Sequence, residues 1–502
     1  MSVFAISFAA YTLAIVAIGI YSARFSKNSD EDYFLAGRKL GPWMAALSAS
    51  ASSESGWVTI GLVGMAFRQG FVAYWIIPGV LFGFIFNWFV VAGRMRDRSA
   101  ELGALTIPDF FSLHFKERLP ILRIISVIVI LIAMWLYVAA QFSAAGAAFS
   151  AAFIDMDYKV GVVLGASIVL IYTVIGGFRA ACWTDFAQSL LMVGVLVIFP
   201  IYLLLNHGGF DYVHEQFAAI DAARTTADAP SMLAFWPEKT GAALIGFLLG
   251  SGALGINFGF PGQPHVLVRF MALRSRKDAM IGGFIAVTWA AMIIWGAITI
   301  GLIVRALSQG SMEWTGELTA QLAAGSDNAG DQALVLAAKN LIPGVLSGVV
   351  LAAVLAAICS TADSQLVVAA SAGTNDVYAR LIDRSGKKSH PIINRVVVFG
   401  LGIAAMLLVM GESKSIFGFV LDYGWAILGA SFGPQLILIL LWKRATYAGC
   451  VAGMATGFSV ALLWKMLDLE SVIEGVKIYN LTLAFISALI VNVIVSLLTR
   501  SK

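Results

Sequence analysis

The stretch Leu47-Ser-Ala-Ser-Ala-Ser-Ser-Glu-Ser-Gly-Trp57 holds five serines and a glutamate in eleven residues, with apolar residues on both sides. Polar side chains at membrane depth face protein or a water-filled cavity, because lipid cannot hydrogen-bond to them. A glutamate is especially costly there, so Glu54 indicates a functional site inside the protein. Small residues of this kind also suit close packing between helices, and that alternative stays open.

A second interrupted stretch, Gly250-Ser-Gly-Ala-Leu-Gly-Ile-Asn-Phe-Gly-Phe-Pro-Gly262, is rich in glycine and lies in the other half of the chain. Two broken apolar segments in corresponding halves are typical of inverted-repeat transporters, whose broken helices form the binding site. We therefore predict one transporter domain over 1–502, with repeats of five helices at 42–206 and 239–442. The helix and loop at 1–41 and the helices at 447–502 are predicted to be peripheral.

The composition places the whole chain in a membrane. Of its 502 residues, 60% are hydrophobic and only 12% are charged, with a mean hydropathy of +0.87. A soluble protein carries about 25% charged residues. Continuous apolar runs such as 124–131 favour helices over the alternating pattern of a membrane β-barrel. The class is therefore all-α and polytopic.

A bilayer core of about 30 Å needs roughly 20 apolar residues per helix. Thirteen segments qualify approximately: 3–22, 42–63, 72–93, 121–150, 158–178, 185–206, 239–260, 279–305, 342–372, 393–410, 416–442, 447–466 and 477–498. With alternate loops on opposite sides, 24 of the 33 Lys and Arg residues fall on one side and 9 on the other. Positive loops are cytoplasmic, so the N-terminus is predicted outside and the C-terminus inside.

Seven motifs, spread over most of the chain, resemble the sodium:solute symporter family and within it the sodium/proline branch. They are Asp32-Tyr-Phe-Leu-Ala-Gly-Arg-Lys-Leu-Gly-Pro42, Ser55-Gly-Trp57, Leu105-Thr-Ile-Pro-Asp-Phe-Phe111, Ile175-Gly-Gly-Phe178, Trp183-Thr-Asp185, Gly262-Gln-Pro-His265 with Arg269-Phe-Met271, and Ser360-Thr361 with Asp376-Val-Tyr378. The resemblance implies a LeuT-like fold of thirteen helices, sodium coupling and a location in the cytoplasmic membrane.

Adjacent hydroxyls on Ser360 and Thr361 suit sodium, which as a hard cation prefers oxygen ligands. By resemblance, the backbone carbonyls of Ala51, Glu54 and Ala357 complete this sodium site. The alternative is that both hydroxyls bond only to carbonyls of their own helix.

Two further acids lie at membrane depth toward the cytoplasm, Asp185 and Asp363. Some relatives bind a second sodium near these positions, so Asp185, Asp363 and Ser364 are candidates for a second sodium site. Alternatively, Asp185 caps the sixth span and Asp363 faces a cytoplasmic pathway.

The resemblance also implies a solute site between the repeats. Its candidate residues are Ser53, Ser55, Gly56, Trp57, Tyr137, Gln141, Ile256, Asn257, Gly259 and Phe260. The chain departs from the proline branch here, because Ser53-Glu54 replaces Asp-Met, and Ile256 and Phe260 stand where that branch usually has Trp and Tyr. Ile256 and Phe260 lack the hydrogen-bond donors of Trp and Tyr, so small carboxylates other than proline remain candidate solutes.

The predicted function is sodium-coupled symport of a small solute into the cell, with an amino acid such as proline first. A symporter for another small carboxylate, or a pantothenate-like solute, is the alternative. A channel is disfavoured because no ring of like residues is visible, and a sensor because only four residues follow the last span. The chain shows no Ser/His or metal-ligand arrangement for catalysis, so we expect no enzyme and no cofactor beyond sodium as coupling ion. The expected partners are the solute, sodium and lipid, and no nucleic acid.

Overall fold

The computed structural model describes residues 3–23, 30–153, 155–223, 231–237, 239–310, 312–326, 328–382, 391–411, 415–469 and 478–499. Within these ranges the regular structure is helical, apart from one isolated bridge between Leu40 and Leu273. The helices, in chain order, are α1 Val3–Ala23, α2 Asp30–Leu35, α3 Pro42–Ser53, α4 57–69, α5 76–102, α6 Ile107–Phe115, α7 Ile121–Ala152, α8 158–176, α9 Gly177–Asn206, α10 Gly209–Ala222, α11 Gly241–Leu248, α12 Pro264–Met271, α13 Arg276–Leu307, α14 Gly316–Ala323, α15 Ala333–Leu341, α16 Gly344–Ile382, α17 Pro391–Leu408, α18 Ile416–Leu441, α19 Tyr447–Met466 and α20 Asn480–Thr499.

Eight helical segments of the described ranges are long and apolar enough to cross a bilayer. They are Trp57–Leu102, which joins α4 to α5 through a short 3₁₀ turn, and α7, α9, α13, α16, α18, α19 and α20. Three shorter apolar stretches accompany them, Ile6–Gly19, Tyr158–Ile171 and Ile392–Leu408. The chain is therefore a multi-pass helical membrane protein, as its composition predicts.

Two helical runs are interrupted at the polar stretches of the sequence. α3 ends at Ser53, Glu54 has non-helical φ and ψ of −96° and 74°, and the chain resumes as a π-helical turn at Trp57–Leu62. α11 ends at Leu248, and a 3₁₀ segment, Leu254–Gly262, precedes α12. Gly255 is required in the second break, because a Cβ there would lie 2.0 Å from the Leu249 carbonyl oxygen. Both breaks leave backbone groups without helical partners.

α16 runs through the middle of the molecule. Nearly every residue of its 344–371 portion is buried, and it packs against α1, α3, α7 and the 158–206 helices. Its hydroxyl pair is thereby held against the broken α3. The close approach of helices relies on small residues. At Gly296 of α13, for example, a Cβ would lie 1.6 Å from the Leu196 carbonyl oxygen of α9.

Two boundaries differ from the predicted spans. The helix that contains Asp185 begins at Gly177, whose φ of 64° and ψ of −173° break it from α8, so Asp185 lies two turns inside α9 and does not cap it. The seventh span continues through α12 to Met271, which buries Arg269 completely. Arg269 is one of the 24 Lys and Arg residues counted as loop charges, and the structure instead places it in a helix, paired with Asp185 inside the protein.

Candidate functional site

The adjacent hydroxyls of Ser360 and Thr361 on α16 lie against the end of α3. The Ser360 hydroxyl donates to the Ala51 carbonyl at 2.9 Å and reaches the Ala357 carbonyl of its own helix at 3.1 Å. The Thr361 hydroxyl makes the same pair of contacts, to the carbonyls of Ser52 at 3.0 Å and Ala357 at 3.2 Å. The structure thus gathers five oxygen atoms from two helices, the donor set that a hard cation prefers.

This cluster contains most of the predicted sodium ligands. The alternative that the hydroxyls bond only within α16 is not what the structure shows, since each also reaches α3. Ser52 contributes a carbonyl that the sequence did not suggest. Glu54 donates its backbone N–H to Ser50 at 2.9 Å and ends the helix, and the role of its carbonyl as a sodium ligand stays a prediction.

The side chain of Glu54 is an isolated acid. It is completely buried, and neither carboxylate oxygen hydrogen-bonds to any residue in the described ranges. An ionised carboxylate in such surroundings is costly without a cation. Glu54 therefore places two carboxylate oxygens, without a hydrogen-bond partner among the described residues, directly at the break of α3.

Beyond Glu54, Gln141 of α7 holds the interrupted backbone in place. Its side-chain oxygen accepts from the Gly56 N–H at 3.0 Å, and its amide donates to the Ser55 hydroxyl at 3.1 Å. The Trp57 indole donates back to the Ser53 carbonyl at 3.0 Å. The predicted solute residues of α3, α4 and α7 are therefore brought together and are buried.

Tyr137 lies one turn before Gln141 on α7 and is also buried. Its ring meets His265 of α12 edge-on at 6.0 Å, and a Cβ on Gly424 of α18 would lie 2.6 Å from it. Tyr137 thus connects the first repeat to α12 and α18.

The remaining predicted solute residues form a second group around Trp425. The Trp425 indole donates to the Ile256 carbonyl at 3.0 Å, and its ring meets Phe260 edge-on at 4.7 Å. Gly259 has no room for a side chain, because a Cβ would lie 1.8 Å from the Trp425 nitrogen. Asn257 instead donates to the Leu254 carbonyl at 2.5 Å and closes its own turn.

Sequence reasoning missed Gly424 and Trp425. These neighbours on α18 contact both groups, since Gly424 packs on Tyr137 and Trp425 packs on the α11–α12 break. Trp425 is completely buried although it carries an N–H donor. A tryptophan next to a glycine in the middle of a span was the available signal.

Asp185 and Ser364, predicted for a second sodium, also lie together, but a protein cation lies between them. The Arg269 guanidinium donates to an Asp185 carboxylate oxygen at 2.8 Å and to the Ser364 hydroxyl at 2.5 Å. Ser364 in turn donates to Asp363 at 3.1 Å. Arg269 is the main functional candidate that the sequence analysis overlooked.

Broken helices that enclose buried polar clusters, within an all-helical membrane protein, define a secondary transporter. The fold agrees. It is shared with a Na⁺-coupled sialic acid symporter in a substrate-bound outward-open state, at a TM-score of 0.76, 19% identity and coverage of 99% of this chain and 98% of the other. It is also similar to Mhp1, a nucleobase-cation-symport-1 family transporter, at a TM-score of 0.51, 12% identity and 94% coverage of both.

The chain belongs to the sodium:solute symporter family, whose model matches residues 33–457. The resemblance carried by the seven motifs is thereby confirmed. The chain is 34% identical to the osmoregulated proline transporter OpuE of Bacillus subtilis (strain 168), over 99% of this chain and 94% of the relative. It is 33% identical to the sodium/proline symporter of Salmonella typhimurium (96% and 92% covered) and 32% identical to that of Escherichia coli K12 (94% and 90% covered).

Proposed function

We propose that this protein is a cell-membrane symporter that uses the sodium gradient to carry a small amino acid, with proline first, into the cell. The observation that carries the proposal is the oxygen cluster of Ser360, Thr361, Ala51, Ser52 and Ala357. It joins the first helix of one predicted repeat to a central helix of the other, so a cation bound there contacts both predicted repeats. The names of the curated relatives support proline as the first solute to test.

The proposal includes a LeuT-like arrangement of thirteen spans, with the N-terminus outside and the C-terminus inside. The eight long apolar segments and three shorter ones support this count once Trp57–Leu102 is divided at its 3₁₀ turn and the broken α11–α12 pair is included. The 24 to 9 division of Lys and Arg supports the orientation. The two breaks, at the ends of α3 and α11, mark the first helices of the repeats at 42–206 and 239–442.

One sodium ion per cycle is sufficient for concentrative uptake. One charge crossing about 100 mV gains about 2.3 kcal/mol, and a tenfold sodium gradient adds about 1.4 kcal/mol. The sum is enough to concentrate a neutral solute about 500-fold. No catalytic residue and no cofactor other than sodium enters this proposal.

A second candidate solute class is a small carboxylate that is not an amino acid. Ile256 and Phe260 favour it, because both are apolar and buried against Trp425 and so add no side-chain hydrogen bond to a solute. Competition between radiolabelled proline and a panel of amino acids, short-chain carboxylates and pantothenate separates the two classes.

The test uses purified protein in proteoliposomes, with proline uptake measured with and without a sodium gradient. Ser360→Ala with Thr361→Ala removes two of the five oxygen atoms, and we expect the sodium concentration for half-maximal uptake to rise at least tenfold. We take the loss of one oxygen ligand to cost about as much as the loss of a hydrogen bond to a charged group, about 1.5–3 kcal/mol, or roughly 10- to 150-fold per hydroxyl. Ser431→Ala is the matched control, since this buried hydroxyl bonds its own helix at 2.6 Å. Unchanged sodium dependence in the double variant contradicts the assignment.

A further inference from the structure

Arg269 and the side chains around it form a cluster drawn from four helices. Arg269 of α12 donates from Nε to the Ser48 hydroxyl of α3 at 2.9 Å and from Nη2 to Asp185 of α9 and Ser364 of α16. Ser48 and Ser52 of α3 donate to the same Asp185 oxygen at 2.7 and 3.2 Å. A third guanidinium nitrogen bonds the His265 carbonyl.

This cluster has the composition of a cation site. Asp185 and Arg269 are both completely inaccessible to solvent, and Asp363 is within hydrogen-bond distance of Ser364 at 3.1 Å. The second Asp185 oxygen accepts no hydrogen bond from the described residues. Carboxylates and hydroxyls are the ligands of a hard cation, yet the positive charge here belongs to the protein.

We propose that the Arg269 guanidinium is a tethered cation that occupies the second cation site, so that one sodium ion, and not two, is coupled in each cycle. The inference rests on the proposed sodium symport. A tethered charge satisfies the buried carboxylate, as a sodium ion would, but it does not cross the membrane and adds nothing to the driving force. Arg269 therefore determines ion stoichiometry without contacting the solute or the coupling sodium.

Removing the positive charge of Arg269 tests the proposal. Arg269→Gln leaves Asp185 buried without a counter-charge, and sodium is then the available cation. We expect purified wild-type protein to bind about one sodium ion per chain without solute, measured with radioactive sodium in a scintillation proximity assay. Arg269→Gln should bind about two, with a sodium Hill coefficient that rises above one.

The matched control is Arg269→Gln combined with Asp185→Asn, which removes both charges and should return the binding to one ion per chain. Arg269→Lys keeps a tethered charge and should also bind one. Size-exclusion profiles and thermal unfolding establish which variants are folded.

Two results would overturn the proposal. One is two sodium ions bound to the wild-type chain, a measurement that needs no variant. The other is a folded Arg269→Gln that still binds one. Failure of the proposed function has a different signature, since a wild-type chain that binds no sodium and takes up solute without it would contradict the symport itself.

Discussion

Glu54→Gln tests the buried acid at the break of α3. The substitution keeps the size of the side chain and removes its charge. In the structure the carboxyl group is fully buried and no described residue hydrogen-bonds to it. We predict that Glu54 is ionised during transport and that a cation from outside the protein then matches its charge. The protonated amine of an amino acid is one such group, and the coupling sodium is the other.

The size of the effect follows from the missing contact. A hydrogen bond with a charged partner contributes about 1.5–3 kcal/mol, so losing one to an ammonium group should raise the KM for proline roughly 10- to 150-fold. Because Glu54 hydrogen-bonds to no described residue, the substitution removes no such contact, and the free energy of unfolding should not fall. We expect the apparent melting temperature of Glu54→Gln without solute to equal or exceed that of the wild type.

The assay is proline uptake in proteoliposomes at saturating sodium, with thermal unfolding of the same preparations. If Glu54 balances sodium instead, the half-maximal sodium concentration rises while the KM measured at saturating sodium stays constant. Glu54→Asp keeps the charge on a shorter side chain and should lose less affinity than Glu54→Gln. A Glu54→Gln protein with normal KM and normal sodium dependence would refute the reasoning and leave Glu54 without a role in binding.

Two further predictions concern the solute site and the buried ion pairs of Arg123 with Asp109 and Asp376. Trp57→Ala should raise the KM for solute. A cysteine introduced at this buried position should be protected from thiol reagents by solute together with sodium. Full labelling of that cysteine at saturating solute and sodium would count against a solute contact. Arg123→Ala leaves the carboxylates of Asp109 and Asp376 buried without their shared guanidinium, and thermal unfolding should show a loss of about 3–5 kcal/mol. The exposed Arg98 ion pair is the control, because Arg98→Ala should cost at most about 1 kcal/mol, and equal losses in the two variants would contradict the argument.

The sequence predicted those parts of the fold where a polar residue is costly. A serine-rich span and a hydroxyl pair at membrane depth are unusual, and the structure places Ser360 and Thr361 against the carbonyls of the broken span. The break itself was predictable because backbone groups without hydrogen bonds occur at membrane depth only where protein or a water-filled cavity surrounds them, and polar residues mark such places. Its position, after Ser53, agrees with the predicted stretch.

Arg269 was not predictable by the same reasoning. The positive-inside rule treats every arginine near a span end as a loop charge, and Arg269 was counted in that way. Its burial depends on Asp185, 84 residues earlier in the chain, and on Ser364, 95 residues later. Only the folded molecule shows that these three side chains meet.

Trp425 was overlooked for a different reason. A tryptophan next to a glycine is a weak signal in an apolar span, and the role of Trp425 becomes visible only at Gly259, where the chain approaches the indole too closely for any side chain. Ile256 and Phe260 were predicted to contact the solute directly. In the structure the Ile256 carbonyl accepts from the Trp425 indole, and the Phe260 ring packs on Trp425. Trp425 is thereby the α18 side chain that contacts the α11–α12 break.

The two polar clusters share one residue, Ser52, which links the predicted sodium site to the Arg269 cluster. The Ser52 carbonyl accepts from Thr361 in the predicted sodium site, while its hydroxyl contacts Asp185 and Ser364 in the Arg269 cluster. A sodium ion that draws the Ser52 carbonyl toward α16 also holds the hydroxyl against Asp185. Ser52 therefore connects the two clusters directly, while Ser48 is a second contact between α3 and Asp185.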